Sequence, residues 1–164
     1  MNLPLSTPFA SALSPPANPS GPTLHFCFRG DELLVRKEVN GVSVPDLDVT
    51  PDAGLVEVRR HYLGHTPKSH IVAVELGAAS PAPSGFEYAG LRELFDLLDG
   101  EVMALAGRAI QIVAWARTHQ YCGQCGARTA PRPNERALGC PKCGLLSFPR
   151  LSPAIIVAIE RGNQ

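Results

Sequence analysis

Apolar residues follow a strand-like pattern in the first half of the chain. After residue 22 come the runs LHFCF and LLV, joined by a turn at Arg29 to Asp31, and then VEVRRHYL and HIVAVEL, separated by GHTPKS. Runs of this length bounded by turn residues are typical of short strands. The pattern therefore predicts a small, mostly antiparallel sheet.

A helical period replaces the strand pattern near residue 90. One helix is predicted in AGLRELFDLL, where four apolar residues share a face: Leu91, Leu94, Phe95 and Leu98. A second helix is predicted from Glu101 to about His119, and its broad apolar stripe places Trp115 in the core. Strands followed by helices predict the α+β fold class.

The two ends of the chain have compositions of their own. Residues 1–22 carry six prolines among serines and alanines, which predicts a mobile tail. The apolar run in LSPAIIVAI predicts a buried strand from Ala154. The expected organisation is a tail over 1–22, an α+β domain over 23–119, a ribbon over 120–150, and the entrance of a further, interrupted domain over 151–164.

Composition and charge exclude several classes of protein. The 15 basic residues balance the 15 acidic ones, which argues against a dedicated polyanion binder, and 45% apolar residues indicate a globular chain. No apolar run approaches the roughly 20 residues that span a bilayer. The start of the chain has no basic segment of a secretory signal. A cytoplasmic location is therefore expected, with no membrane partner.

Reduced cysteines are expected in that compartment, and four of the five form two Cys-x-x-Cys hooks. Fourteen residues separate the hooks, whose members are Cys122, Cys125, Cys140 and Cys143. The glycine after each hook, Gly126 and Gly144, allows the positive φ that metal knuckles use. Four thiolates complete a tetrahedron and leave no position for water, so a structural zinc site is predicted.

Iron is the competing metal, because sulfur ligands alone do not distinguish it from zinc. The remaining candidates have simpler interpretations. Cys27, within an apolar run, is expected to be a small buried hydrophobe. His61 and His65 have the i, i+4 spacing of a metal pair on a helix, but the surrounding alternation is that of a strand, so ordinary surface or turn histidines are predicted.

Three segments together resemble a known family. LAGRAIQIVAWARTHQYCGQCG, CPKCG and SFPRLSPAIIVAI are similar to the NAD(H) diphosphatases of the Nudix hydrolase superfamily. The resemblance covers Tyr88 to Ile159 well and residues 23–87 more weakly. It implies hydrolysis of the pyrophosphate bond of NADH or NAD to nicotinamide mononucleotide and AMP, and in some members removal of NAD caps from RNA.

The resemblance also implies a Mg or Mn site, formed by glutamates of a Nudix box. These 164 residues contain no Glu-Glu pair, and the Arg-Glu pair Arg92–Glu93 lies far upstream of the expected position. No catalytic residue is therefore assigned. The chain is interpreted as a shortened piece of a longer protein or a gene fragment, inactive alone, with Mg or Mn expected only with the absent Nudix domain.

Three positions match substrate-contacting positions of the family, which implies that Glu135, Phe148 and Arg92 bind the dinucleotide. An aromatic ring can stack on a base, and a guanidinium group suits phosphate. The family is typically homodimeric, so a homodimer is expected of the full-length form.

The alternative is a noncatalytic zinc-ribbon adaptor for nucleic acid or protein. Its contact surface would consist of five cations of the ribbon: Arg128, Arg132, Arg136, Lys142 and Arg150.

Overall fold

The computed structural model describes residues 9–39, 41–45, 54–150, 155–159 and 161–162. These residues form one long helix, α1 (Gly100–Thr118), and ten strands. The strands are β1 (Ala10–Ser11), β2 (Thr23–Arg29), β3 (Glu32–Glu38), β4 (Gly41–Ser43), β5 (Glu57–His65), β6 (His70–Leu76), β7 (Phe86–Gly90), β8 (Ala130–Pro131), β9 (Leu138–Gly139) and β10 (Leu146–Ser147).

The first seven strands form one sheet in the order β1-β5-β6-β2-β3-β4, with β7 also paired to β3. All its pairs are antiparallel except β2 with β6, which run parallel from Thr23 opposite His70 to Arg29 opposite Leu76. Every residue of β6 is buried, as expected of a central strand covered on both faces. The α+β class is confirmed, but the sheet is mixed because its centre is a parallel pair.

Helix α1 covers one face of this sheet and encloses the main core. Its N-terminus is capped by Asp99, whose carboxylate accepts the Glu101 N–H at 2.8 Å. The core combines strand and helix residues that are fully or nearly fully buried, among them Phe26, Phe28, Leu63, Ala106 and Val113. The second predicted helix is thereby confirmed, with Trp115 buried as expected.

The first predicted helix is wrong. Residues 91–97 form consecutive turns, in which the Leu94 N–H donates to the Gly90 carbonyl and the Leu98 N–H to the Leu94 carbonyl. Leu94 and Leu98 are buried as the pattern required, whereas Phe95 is 69% exposed. Leu91 also packs against the core, but so short a segment does not offset the cost of nucleating a helix.

Both end segments differ from their sequence patterns where they are described. Residues 1–8 of the expected tail lie outside the described part, but Ala10 and Ser11 pair with β5 as strand β1. The strand expected from Ala154 is not formed over residues 155–159, whose side chains are exposed. A strand needs a hydrogen-bonding neighbour, and no described residue supplies one to this segment. No described helix is long and apolar enough to cross a bilayer.

Candidate metal centre and ribbon cavities

The two cysteine hooks fold into matching tight turns. The Gly126 N–H donates to the Cys122 carbonyl at 2.9 Å, and the Gly144 N–H donates to the Cys140 carbonyl at 3.0 Å. Both glycines have positive φ, 72° and 77°, as the sequence predicts. Each turn therefore directs its two sulfur atoms to the same side.

The two turns bring all four sulfur atoms together. The Sγ atoms lie within 4.8 Å of one another, with 3.5 Å between Cys122 and Cys143 and 3.4 Å between Cys125 and Cys140. A zinc–sulfur tetrahedron with bonds of about 2.3 Å has edges of about 3.8 Å. The donor set and its spacing thus fit a zinc ion with four thiolate ligands.

The electrostatics of the cluster also call for a cation. Backbone N–H groups, first that of Cys143, lower the pKa of Cys140 to about 6, and the N–H groups of Cys125 and Gln124 lower that of Cys122. The Ala127 N–H acts in the same direction on Cys125, yet the adjacent Cys140 sulfur and burial raise the pKa of Cys125 to about 12. Four sulfurs this close do not all ionise without a positive charge between them.

The ribbon is fixed to the sheet domain by contacts at the end of α1 and at β5. Trp115 packs with Leu138 of β9, and its indole N–H donates to the Ser147 Oγ at 3.3 Å. The Arg136 guanidinium donates two hydrogen bonds of 2.8 Å, to the carbonyl oxygens of Ala12 and Tyr62. The sulfur cluster therefore sits on a body that is anchored at two places.

Three cavities surround the ribbon. The first, of about 520 Å³, lies between the end of α1 and the hooks and is lined by His119, Tyr121 and Phe148 among others. The second, of about 560 Å³, lies between α1 and residues 148–150. The third, of about 420 Å³, lies between β5 and the loop that carries Glu135. Their volumes fall in the range of small-ligand sites, about 300 to 1,000 Å³.

The structure places the three expected substrate residues at separate positions. Phe148 is 47% exposed and lines both the first and the second cavity. Glu135 lines the third cavity and forms an ion pair with Arg132 at 3.4 Å. Arg92 is exposed in the turns between β7 and α1 and lines none of these three cavities.

Arg108 and Gln111 were not singled out by the sequence, although both line the second cavity. They lie one turn apart on α1 and are exposed. The available signal was a pair of polar residues at i, i+3 within the apolar middle of the helix, from Val102 to Ala116.

The histidines of β5 do not belong to a metal site among the described residues, whose only cluster of metal-ligating side chains is the four cysteines. His61 and His65 lie on a strand, as the alternation predicts. The His61 Nε2 is nevertheless buried without a hydrogen-bond partner, and burial, followed by the charge of Arg136, lowers the His61 pKa. Cys27 is fully buried, which confirms the expectation, and burial raises its pKa to about 12.

Fold and site together define a metal-ribbon protein, in which a mixed-sheet domain continues through one long helix into a pair of cysteine knuckles. Residues 22–115 match the model of the NADH pyrophosphatase-like rudimentary NUDIX domain, and residues 117–148 match the NADH pyrophosphatase zinc ribbon domain. The chain belongs to the NADH pyrophosphatase family of the Nudix hydrolase superfamily, which confirms the resemblance carried by its motifs.

Curated relatives are proteins named NAD-capped RNA hydrolase NudC. The chain is 38% identical to one from Deinococcus radiodurans over 155 residues, which are 94% of this chain and 51% of that protein. It is 41% identical to one from Pseudomonas fluorescens and 38% identical to one from Stutzerimonas stutzeri, covering 37% of each. The chain thus spans about half the length or less of these relatives.

Proposed function

We propose that this chain is the nucleotide-recognising and zinc-braced portion of an enzyme that hydrolyses the pyrophosphate bond of NADH or NAD to nicotinamide mononucleotide and AMP. The NAD cap of RNA is a further substrate of the same chemistry. The observation that carries the proposal is the joint match of the NADH pyrophosphatase-like domain and zinc ribbon domain, which together cover residues 22–115 and 117–148.

Zinc has a structural role in this proposal. The four thiolates of Cys122, Cys125, Cys140 and Cys143 would hold the ion and fill its coordination sphere, so no position remains for water or substrate. Bound zinc supplies a rigid crosslink between the two knuckles. The ribbon then holds the Glu135 loop and Phe148 in fixed positions against the sheet domain, through the contacts of Trp115 and Arg136.

Phe148 is the best supported of the proposed substrate contacts. Its half-exposed ring stands between two cavities, where one face can stack on the base or nicotinamide ring of a dinucleotide. We propose that the Glu135 carboxylate accepts a hydrogen bond from a hydroxyl group of the substrate. The Arg92 guanidinium would donate hydrogen bonds to a phosphate group of the substrate. The ion pair of Glu135 with Arg132 leaves its carboxylate near the third cavity.

Hydrolysis itself is assigned to a Nudix box with Mg or Mn, whose Glu-Glu pattern does not occur in these 164 residues. The zinc-loaded chain should therefore bind NADH and release no AMP when Mg or Mn is added. Calorimetry measures the binding, and chromatography of the reaction mixture measures the products. Clear turnover would contradict the assignment, and absence of NADH binding would contradict the recognition role.

A matched pair of substitutions tests the stacking contact. Phe148→Leu removes the ring and should weaken NADH binding about tenfold, whereas Phe148→Tyr keeps the ring and should leave binding within about twofold. Equal affinities of the two variants would remove Phe148 from the site. A homodimer of the full-length form and a cytoplasmic location complete the proposal, and light scattering of the full-length protein checks the first of these.

The adaptor remains as a second candidate because Arg128, Lys142 and Arg150 are exposed on the ribbon. Arg132 is paired with Glu135, and Arg136 is directed toward the sheet domain, which reduces the free cationic surface. Titrations against NADH and single-stranded RNA discriminate the two. RNA binding with a steep salt dependence, together with no NADH binding, would favour the adaptor.

A further inference from the structure

Three arginines from three parts of the chain line the cavity between α1 and the ribbon. Arg108 comes from α1, Arg136 from the loop between β8 and β9, and Arg150 from the segment after β10. The cavity, called here the arginine cavity, has a volume of about 560 Å³. Leu63 and Ile112 contribute apolar surface to it, and Gln111 adds an uncharged polar group.

Within the described part of the chain, no carboxylate lines the arginine cavity. Arg136 donates to two backbone carbonyls, and the Arg108 guanidinium lies over the Phe9 ring at 4.9 Å, so both have neutral partners. Elsewhere in the described part of the chain, five arginines form ion pairs with carboxylates: Arg29, Arg59, Arg60, Arg117 and Arg132. Among the described residues, the arginine cavity therefore gathers three cations without a carboxylate in its lining.

The first two cations are close enough to interact unfavourably. Burial lowers the pKa of Arg136, and the charge of Arg108 lowers it further. Arg136 is half-buried, so water screens this repulsion only in part. An anion between the guanidinium groups would convert the repulsion into two charge-assisted contacts, and the planar fork of arginine matches phosphoryl oxygens.

We propose that the arginine cavity binds the phosphoryl groups of a nucleotide through Arg108, Arg136 and Arg150. The anion chemistry follows from the cavity itself, whereas the identification of the anion as part of a nucleotide rests on the proposed function. Two sources share this chemistry: the pyrophosphate of a dinucleotide and the phosphodiester backbone of RNA attached to it. The cavity volume suits the small phosphorylated ligand, and Phe148, which lines the same cavity, can provide a ring contact.

Inorganic pyrophosphate is the direct probe, titrated by calorimetry into the zinc-loaded protein at low salt. Arg108→Gln and Arg150→Gln should each weaken its binding about tenfold or more, because each removes a charge-assisted contact. Arg136 is left unchanged, since it also holds the carbonyls of Ala12 and Tyr62. Arg128→Gln is the matched control, as Arg128 is exposed on the ribbon and does not line the cavity.

The control separates a built site from general attraction to a positive surface. Loss of binding in the two cavity variants with an unchanged Arg128→Gln variant supports the proposal. No pyrophosphate binding by the parent protein, or equal weakening by Arg128→Gln, overturns it. Zinc content and circular dichroism of each variant establish that the fold is kept.

Titrations of NADH and of a 5′-phosphorylated single-stranded RNA then identify the source. Weakened NADH binding in the cavity variants assigns the dinucleotide pyrophosphate, and weakened RNA binding alone assigns the RNA backbone. If the parent protein binds pyrophosphate and RNA but not NADH, the proposed recognition of NADH fails while the phosphate cavity stands. If neither NADH nor RNA responds to the substitutions, the nucleotide identification is overturned.

Discussion

The sheet domain and the ribbon are stabilised by different interactions. In the sheet domain, side chains on both faces are removed completely from water, such as Phe26 and Phe28 on one face and Cys27 and Val74 on the other. In the ribbon, few residues are buried, and two of those are the sulfur ligands Cys122 and Cys140. Its strands β8, β9 and β10 are only two residues long.

This contrast shows which part of the chain depends on which interaction. Burial of apolar area stabilises the sheet domain whether or not metal is present. The ribbon has little apolar area to bury, so we expect metal binding to supply most of its folding free energy. Removing the metal should therefore affect mainly the ribbon, and removing a core side chain should affect mainly the sheet domain.

Removal of the metal gives the largest expected effect. Chelation, or Cys125→Ser, should unfold residues 121–149 while the sheet domain stays folded, because zinc contributes on the order of 10 kcal/mol in comparable sites. Amide hydrogen exchange measured by region checks this. Cys27→Ala removes a sulfur outside the cluster and should leave the metal content unchanged. A ribbon that keeps its protection without metal would contradict the prediction.

Removal of a core ring tests the other region. Phe28→Ala should lower the free energy of unfolding of the sheet domain by about 3 to 5 kcal/mol, since Phe28 is fully buried. Urea denaturation followed by circular dichroism measures the loss. Phe95→Ala, at a position that is 69% exposed, is the control and should change stability by less than about 0.5 kcal/mol. Equal losses in the two variants would place the core elsewhere.

The hydrogen bond between Trp115 and Ser147, which joins the sheet domain to the ribbon, should have a smaller effect on stability. Trp115→Phe removes the indole N–H that donates to Ser147 and should cost about 1 kcal/mol in the zinc-loaded protein. In the chelated protein this cost should disappear, because β10 is no longer formed. Ser147→Ala removes the acceptor, and a double-mutant cycle of the two substitutions measures their coupling by urea denaturation. A cost that is the same with and without zinc would show that Trp115 stabilises only the sheet domain.

The smallest effect is a pH dependence from His61. Its pKa is lowered in the folded protein from 6.5, chiefly by burial, so the unfolded chain binds a proton more readily below that pH. The free energy of unfolding should therefore fall as the pH falls below about 6.5. His61→Gln should reduce this slope and leave stability at pH 8 less affected. An unchanged slope, measured by urea denaturation from pH 8 to pH 5, would exclude His61 as its source.

The cysteine cluster could be predicted almost completely from the sequence, because the four cysteines, their spacing and the two knuckle glycines are all local features. Helix α1 was equally accessible through its long apolar stripe. The turns at residues 91–97 were not, since Leu94 and Leu98 have the same spacing in a helix and in repeated turns. Ile155 and Ile156 are also exposed, although their apolar run predicts a buried strand. An apolar run indicates only a tendency to form a strand, and whether the strand forms depends on neighbouring strands that the run itself does not specify.

The arginine cavity could not be predicted from the sequence, for another reason. Arg108, Arg136 and Arg150 lie in different elements, and no period or motif relates them. The parallel pairing of β2 with β6 and the pairing of β1 with β5 could not be predicted from the sequence for the same reason. Each depends on how distant segments are brought together, which local patterns do not record.

The two hydrogen bonds of Arg136 have a consequence for the order of folding. They join residues 124 and 74 positions apart in the chain, to Ala12 and Tyr62, whereas paired cysteines of the cluster are 21 and 15 positions apart. Loops of the second kind close early, while contacts between distant segments form late. Refolding with zinc should therefore begin with an independent knuckle pair, and Arg136 should join it to the completed sheet in the last step.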